Sequence, residues 1–355
     1  MIAAIEDPPM ERKVRVAIVG FSFMGTTHAQ AYQALADADL VAVVARDKVR
    51  ATDNLGRLNL TKPVYSSLSE LLASEDVDAI DICTPTDLHA DFALEAIAAG
   101  KHVFCEKPLA LDPQDAERIC VAVEERGVFA QVGHCIRFWP EYQALTKLVR
   151  SGSAGRILSL SLERRGARPS LGVANWLNDP TRSGGAAMDL HIHDTDLVLD
   201  LFGRPQAVTS TGTQDAFGWS QIHTIYHYAD VAVAADGGWN SPEHWGFKMA
   251  FQAVFERAVL EYDCRRPPTL CITNEKGNAM PHPFETPFRA ESVSGLGNLS
   301  SLGGYYNELA YFINCIANNC RPEIATPAQA RDAVKLVWSE IASAAESRTI
   351  SLKGF

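Results

Sequence analysis

From Val14 onward the chain alternates short apolar runs with segments whose apolar residues recur every three or four positions, the rhythm of a parallel sheet with crossover helices. Strands are predicted at Val14–Val19, Leu40–Ala45, Ala79–Cys83, His102–Phe104 and Phe129–Val132. Helices are predicted at Thr26–Ala36, Tyr65–Ala73, Leu88–Ala99 and Pro113–Glu125, several opening after a Ser, Asp or Pro start signal. Such a series builds a doubly wound unit of roughly 130 residues. After Pro140 a short helix, Tyr142–Arg150, leads into strictly alternating segments at Ile157–Glu163, Ala207–Thr213, Gln221–Tyr228, Val231–Trp239 and Lys248–Phe255, which read as antiparallel strands. Arg265–Leu302, rich in Pro, Gly, Asn and Ser, reads as a long loop. Two helices, Tyr305–Ala317 and Pro327–Ala345, close the pattern, the second with Thr326 as N-cap and Pro327 at the first helical position. The expected fold class is α/β, with an N-terminal doubly wound parallel sheet and a C-terminal α+β domain whose open, mostly antiparallel sheet carries helices on one face.

Composition narrows the function. A chain of 355 residues, 47% apolar and 21% charged, has ample length for two domains and needs no disulfide or metal to fold. Its net charge of −11 comes without any Lys/Arg-rich block, which disfavours nucleic acid and anionic membranes as partners. No apolar run approaches the length of a membrane span, and Glu6, Asp7 and Pro8-Pro9 stand where a signal peptide needs a cationic start and an apolar core. The eight cysteines are scattered without a C-x-x-C pair, which points to free thiols and the cytoplasm.

The first strand runs into Gly20-Phe21-Ser22-Phe23-Met24-Gly25 and then a helix, the context of a dinucleotide-binding turn. Gly20 serves the tight turn and Gly25 the packing of helix on sheet, while Ser22 replaces the glycine that lets backbone approach a pyrophosphate. An ordinary βα turn is the competing reading. The strand His102–Phe104 ends at Cys105-Glu106-Lys107-Pro108-Leu109, which sets Lys107 at the carboxyl edge of the sheet, where open α/β sheets bind ligands. In Ser183-Gly184-Gly185-Ala186-Ala187-Met188-Asp189-Leu190-His191-Ile192-His193-Asp194, Asp189 and His193 share one face if the stretch is helical.

These elements, with Cys83-Thr84-Pro85, His89, Gly133-His134, Arg137-Phe138 and Tyr306-x-Glu308-Leu309, resemble the glucose–fructose oxidoreductase, inositol dehydrogenase and rhizopine-catabolism (Gfo/Idh/MocA) family along nearly the whole chain. The resemblance implies a Rossmann domain over residues 1–137 and a substrate-binding and oligomerisation domain over 138–355. It implies NAD or NADP as cofactor and a sugar, polyol or cyclitol as substrate. Lys107, Asp189 and His193 match the family's catalytic positions, and Thr84, Pro85, His89 and Glu106 match positions bordering the nicotinamide and its ribose. Ser22 departs from the family pattern, as does His191, where many relatives carry Gly.

Oxidising a secondary alcohol requires a base for the hydroxyl proton, a task for His193 oriented by Asp189, with Lys107 stabilising alkoxide charge. His134, Arg137, Trp139, Arg164, Trp176 and His191 are expected to contact substrate, although core packing competes for each tryptophan. His191, His193, Asp189, Asp194 and Asp196 form a dense potential metal set, but a helix would point the two histidines apart, so no metal is expected and Asp194 and Asp196 are read as capping or solvent-facing. A ribose-binding acid is due about 20 residues after the glycine loop. That place falls near Ala45, followed by Arg46, which tilts the expectation to NADP. Asp47 swinging back to the ribose is the counter-reading. A homo-dimer or homo-tetramer is expected, because the open sheet would otherwise expose an apolar face. Two alternatives remain: a non-catalytic, cofactor-sensing regulator, distinguished by absence of turnover, and a glycosidase using transient oxidation by NAD, distinguished by redox-neutral cleavage of an aryl glycoside.

Overall fold

The computed structural model describes residues 12–169, 173–277, 279–284 and 303–353. The chain divides into two compact units, the first comprising residues 1–134, 172–174 and 305–331, the second residues 135–171, 175–304 and 332–355.

The first unit alternates β1 (Val14–Val19), α1 (Phe23–Ala34), β2 (Ala38–Val44), α2 (Lys48–Arg57), β3 (Val64–Tyr65), α3 (Leu68–Ser74), β4 (Ala79–Ile82), α4 (His89–Ala98), β5 (His102–Glu106), α5 (Pro113–Arg126) and β6 (Ala130–Gly133). The strands are all parallel, in the order β3-β2-β1-β4-β5-β6, so the order reverses between β1 and β4 and opens a crevice above that pair. Buried on both faces, β1 and β4 read as continuous apolar runs broken only by Arg15 and Asp81. Asp112 caps α5 by accepting from the Gln114 N–H at 2.7 Å, Pro113 opens its first turn and Gly127 ends it in the left-handed region, φ +67°.

One face of this sheet is covered by α1 and by a segment from the far end of the chain. In α9 (Gly303–Ala317), Leu309, Phe312, Ile313 and Ile316 join Val16, Ile18, Ala29, Tyr32 and Phe104 in one buried cluster. The Val132 N–H of β6 bonds the Ala325 carbonyl at 2.8 Å, which blocks that sheet edge. The structure thus departs from a simple division at 137/138: residues 305–331 return to the first unit, where α9 packs into the same core as β1 and β5.

The second unit holds α6 (Pro140–Ser151), β7 (Ile157–Ala167), α7 (Pro180–Ser183), a π-helical turn (Ala187–His191), α8 (Ile192–Phe202), β8 (Ala207–Asp215), β9 (Gly218–His227), β10 (Ala232–Ser241), β11 (Lys248–Phe255), β12 (Ala258–Asp263), β13 (Leu270–Asn274) and β14 (Ala279–Pro281). It also takes in most of α10 (Pro327–Glu346), and β15 (Ile350–Ser351). Nine strands run β14-β13-β12-β11-β7-β10-β9-β8-β15, antiparallel except for the β7–β10 pair. The expected loop Arg265–Leu302 is corrected in part: β13 and β14 continue the sheet there, and residues 285–302 lie outside the described residues. Helices α6, α8 and α10 pack on one face, through Tyr142 against Phe251 and Tyr262, Thr195 against Tyr226, and Ser343 against Ser210.

Candidate active site

The turn after β1 is built on two close approaches. Gly20 has φ +92°, and a Cβ on it would sit 2.6 Å from the Cys83 carbonyl oxygen, so only glycine fits. A Cβ on Gly25 would fall 2.2 Å from the Gly20 carbonyl oxygen, so the turn folds directly onto the helix start. Ser22 is the N-cap of α1, yet its hydroxyl makes no bond to the helix N–H groups. The first-turn amides of Phe23 and Met24 have no intrahelical acceptor, and with the helix dipole they suit an anion. Beyond β4, the Thr84 hydroxyl is buried and has no partner in the protein. This cradle and this orphaned donor fit a pyrophosphate and a nicotinamide ribose.

Lys107 follows β5, half-buried, and its bond to Pro108 is cis. Two residues expected against the cofactor are bonded within the protein. Glu106 is buried, its Oε1 bonded to His28 Nε2 at 3.1 Å and its Oε2 accepting the Lys107 N–H at 3.1 Å. His89 is buried too, its ring spanning the carbonyls of Pro108 (2.8 Å) and Thr84 (3.0 Å). Both therefore brace the turns that carry Lys107 and Thr84-Pro85, since their polar atoms already have protein partners. His134, expected to meet substrate, is fully buried at the end of β6.

In the second unit the π-helical turn runs into α8, and an interval of four residues is nearly one full turn in either helix, so Asp189 and His193 share a face. The turn lies hard against β10: a Cβ on Gly237 would stand 2.9 Å from His191 Cβ. His191 points away from that face and is wholly buried, its Nε2 2.8 Å from Glu340 Oε2 and 3.4 Å from the Tyr226 hydroxyl. These two contacts anchor the turn to α10 and β9. Arg137 donates to both oxygens of Asp196, at 2.6 and 2.7 Å, and to Asp200 at 3.0 Å. Arg164 donates to Asp194 at 3.0 Å and to the Tyr142 hydroxyl at 3.3 Å. Burial alone would lower the Arg164 pKa, but Asp194 outweighs it and the guanidinium stays charged. Both arginines are buried in ion pairs, and Asp194 and Asp196 are interior partners, not caps or solvent-facing groups. Trp139 is buried, its ring against Gly304, whereas Trp176 is half-buried. Arg46 is exposed just beyond β2, and Asp47 caps α2 by accepting from the Arg50 N–H at 3.0 Å.

Among the described residues, donor atoms within 4.8 Å of one another group as His28, Asp81 and Cys83, and as His28, Glu106 and Glu308, all in the first unit. Sequence reasoning assigned no role to His28, Asp81 or Glu308. The available signal was a charged residue inside the apolar strand Ala79–Cys83.

Residues 14–134 match the model of an oxidoreductase family with an NAD-binding Rossmann fold, and residues 142–261 match a Gfo/Idh/MocA C-terminal domain. The chain belongs to the Gfo/Idh/MocA family. It is therefore an oxidoreductase with an NAD-binding Rossmann domain, and the mixed nine-stranded sheet is the family's C-terminal domain. Inositol 2-dehydrogenase of Rhizobium meliloti (strain 1021) is 28% identical over 348 residues, covering 96% of this chain and 99% of that protein. A 2,7-anhydro-N-acetylneuraminate hydratase of Escherichia coli (strain K12) is 37% identical over 148 residues, 41% of this chain and 40% of that protein. Levoglucosan dehydrogenase in complex with NADH and levoglucosan shares the fold, with a TM-score of 0.82 at 20% identity, over 96% of this chain and 100% of that one.

Proposed function

We propose that this protein transfers hydride between a nicotinamide dinucleotide and a secondary alcohol, or the matching ketone, of a sugar, polyol or cyclitol. The observation that carries this reading is the end-to-end similarity to an inositol 2-dehydrogenase in a chain that keeps Lys107, Asp189 and His193. The cradle of Gly20, Ser22, Phe23, Met24 and Gly25 holds the pyrophosphate, and Thr84 and Pro85 border the nicotinamide ribose. The bound nicotinamide supplies the hydride acceptor or donor. His193 takes the hydroxyl proton on an imidazole nitrogen, Asp189 steadies the imidazolium so formed, and the Lys107 ammonium holds the developing alkoxide by a charge-assisted hydrogen bond.

A panel of sugars and cyclitols, followed by reduced-cofactor absorbance at 340 nm, tests the reading. Lys107→Ala and His193→Ala are expected to keep cofactor binding and to lose turnover by at least about 100-fold. Near-normal turnover in either variant sinks the assignment. The hydratase relative favours a second reading, a reaction without net redox change. Product release with no net change at 340 nm would select it. We also propose a homo-oligomer through the open face of the nine-stranded sheet, where Ser159, Ser161, Ala232 and Ala234 make a flat strip beside Ile225, which is 47% exposed. A monomeric mass at micromolar concentration contradicts it.

A further inference from the structure

Beneath Lys107 lies a polar chain that the reaction as drawn above does not use. Cys83 Sγ donates to Asp81 Oδ1 at 3.4 Å and also lies 3.3 Å from His28 Nδ1. Asp81 Oδ2 is 2.8 Å from His28 Nδ1, His28 Nε2 is 3.1 Å from Glu106 Oε1, and Glu106 Oε2 takes the Lys107 N–H at 3.1 Å. The links come from the end of β4, from α1 and from β5, and His28 and Asp81 have no exposed surface. An ionised carboxylate can only accept hydrogen bonds, so between two ionised carboxylates an imidazole carries both protons. A neutral ring would set a bare nitrogen lone pair against a carboxylate in a dry interior, an arrangement costing far more than it returns.

The groups facing His28 are Asp81 and Cys83 from β4 and the turn after it, Glu106 from β5, and Glu308 with the Tyr305 ring from α9; Tyr32, on the helix of His28, lies near Asp81. Burial alone would push the His28 pKa down, but Asp81 reverses this and raises it well above the ordinary value. Glu308 is fully buried and neither carboxyl oxygen has a hydrogen-bond partner; burial, reinforced by the Glu106 charge, drives its pKa well up and favours the neutral acid. Two carboxylates against one imidazolium leave one buried negative charge close to the Lys107 ammonium.

We propose that His28 is a positioning residue for Lys107: as an imidazolium clamped between Asp81 and Glu106, it locks the carboxylate whose second oxygen fixes the Lys107 backbone. This rests on the assignment of Lys107 to the reaction. His28→Asn breaks the chain at Glu106 and leaves two buried carboxylates that tolerate each other only while one is protonated. Its kcat is expected to fall at least about tenfold, with the alcohol KM and the cofactor Kd within about threefold, and to fall further as pH rises above neutrality where the native enzyme stays flat. Adding Asp81→Asn to His28→Asn restores the charge count and is expected to recover at least about threefold of kcat, a coupling that a purely packing role would not produce. A double variant slower than the single one overturns the proposal. The cofactor-free native protein, labelled with 15N-histidine, gives a readout independent of turnover and of any variant's folding. One histidine is expected to remain imidazolium at a pH where exposed histidines have become neutral, and its signal is assigned to His28 by broadening or shift in Cys83→Ser. A neutral tautomer there at pH 7, or zinc bound to the purified protein through His28, overturns the proposal. Normal turnover in Lys107→Ala would instead sink the functional reading beneath it. Loss of turnover in Lys107→Ala beside native turnover and a flat pH profile in His28→Asn sinks this inference alone.

Discussion

Arg46 stands where a carboxylate would accept from the adenosine 2′-hydroxyl and repel a 2′-phosphate. Asp47, the alternative acid, spends its Oδ1 on capping α2. An exposed guanidinium without a competing carboxylate suits a phosphate, so the native enzyme is expected to show a higher kcat/KM with NADP than with NAD, and Arg46→Ala to lose that preference about tenfold or more. A preference for NAD unaffected by the substitution refutes this. A second residue predicts a pH effect with a definite sign. Glu308 has its native pKa raised by burial, so folding must protonate it wherever the unfolded chain is ionised, above about pH 4.3. Its contribution to stability therefore declines as pH rises from that value through its native pKa. Glu308→Gln, neutral at every pH, is expected to match the native Tm near pH 4 and to exceed it increasingly toward pH 8, at roughly 2–4 °C per kcal/mol. Parallel Tm curves for the two proteins contradict it.

At the scale of elements, the π-helical turn and β10 form one device. Because a Cβ on Gly237 would meet His191 Cβ at 2.9 Å, Gly237→Val is expected to push the turn off the sheet, costing about 1–3 kcal/mol of overpacking. Turnover should collapse while cofactor Kd, set in the other unit, is unchanged; calorimetry with cofactor titration checks both. This coupling was illegible in the sequence, where Gly237 is one of 24 glycines. Elements whose local signals agree were legible: β1 from its apolar run, α5 from Asp112-Pro113 and Gly127, and α10 from Thr326-Pro327. Helix α2 was not, since only Ala51 and Leu55 of its ten residues are buried and its polar remainder reads as loop. Strands β13 and β14 were hidden by Pro267-Pro268 and by Asn274 and Gly277 beside them. The position of Lys107 just beyond β5 was legible, because the motif Glu106-Lys107-Pro108 follows directly on an apolar strand. The pairing of Arg137 with Asp196 and of Arg164 with Asp194 was illegible, because the partners lie 59 and 30 residues apart, a distance no local pattern reports.

For the whole molecule, the return of residues 305–331 to the first unit means that a fragment ending at residue 137 lacks Leu309, Phe312, Ile313 and Ile316 from its own core. Losing Phe312 alone would cost about 3–5 kcal/mol, a large part of a domain's stability. Residues 12–137 expressed alone are expected to aggregate or to melt without a cooperative transition, and joining residues 303–331 through a flexible linker to restore a cooperative melt and dinucleotide binding. A stable, dinucleotide-binding fragment without that segment contradicts the expectation. The same return also bears on synthesis. At roughly 5–20 residues per second, the ribosome takes on the order of ten seconds or more to pass from residue 134 to residue 331. Through that interval the nascent nucleotide-binding unit presents the apolar face that α9 will cover, a waiting surface for a chaperone, and it closes only after strands β7 to β14 of the second unit have been made.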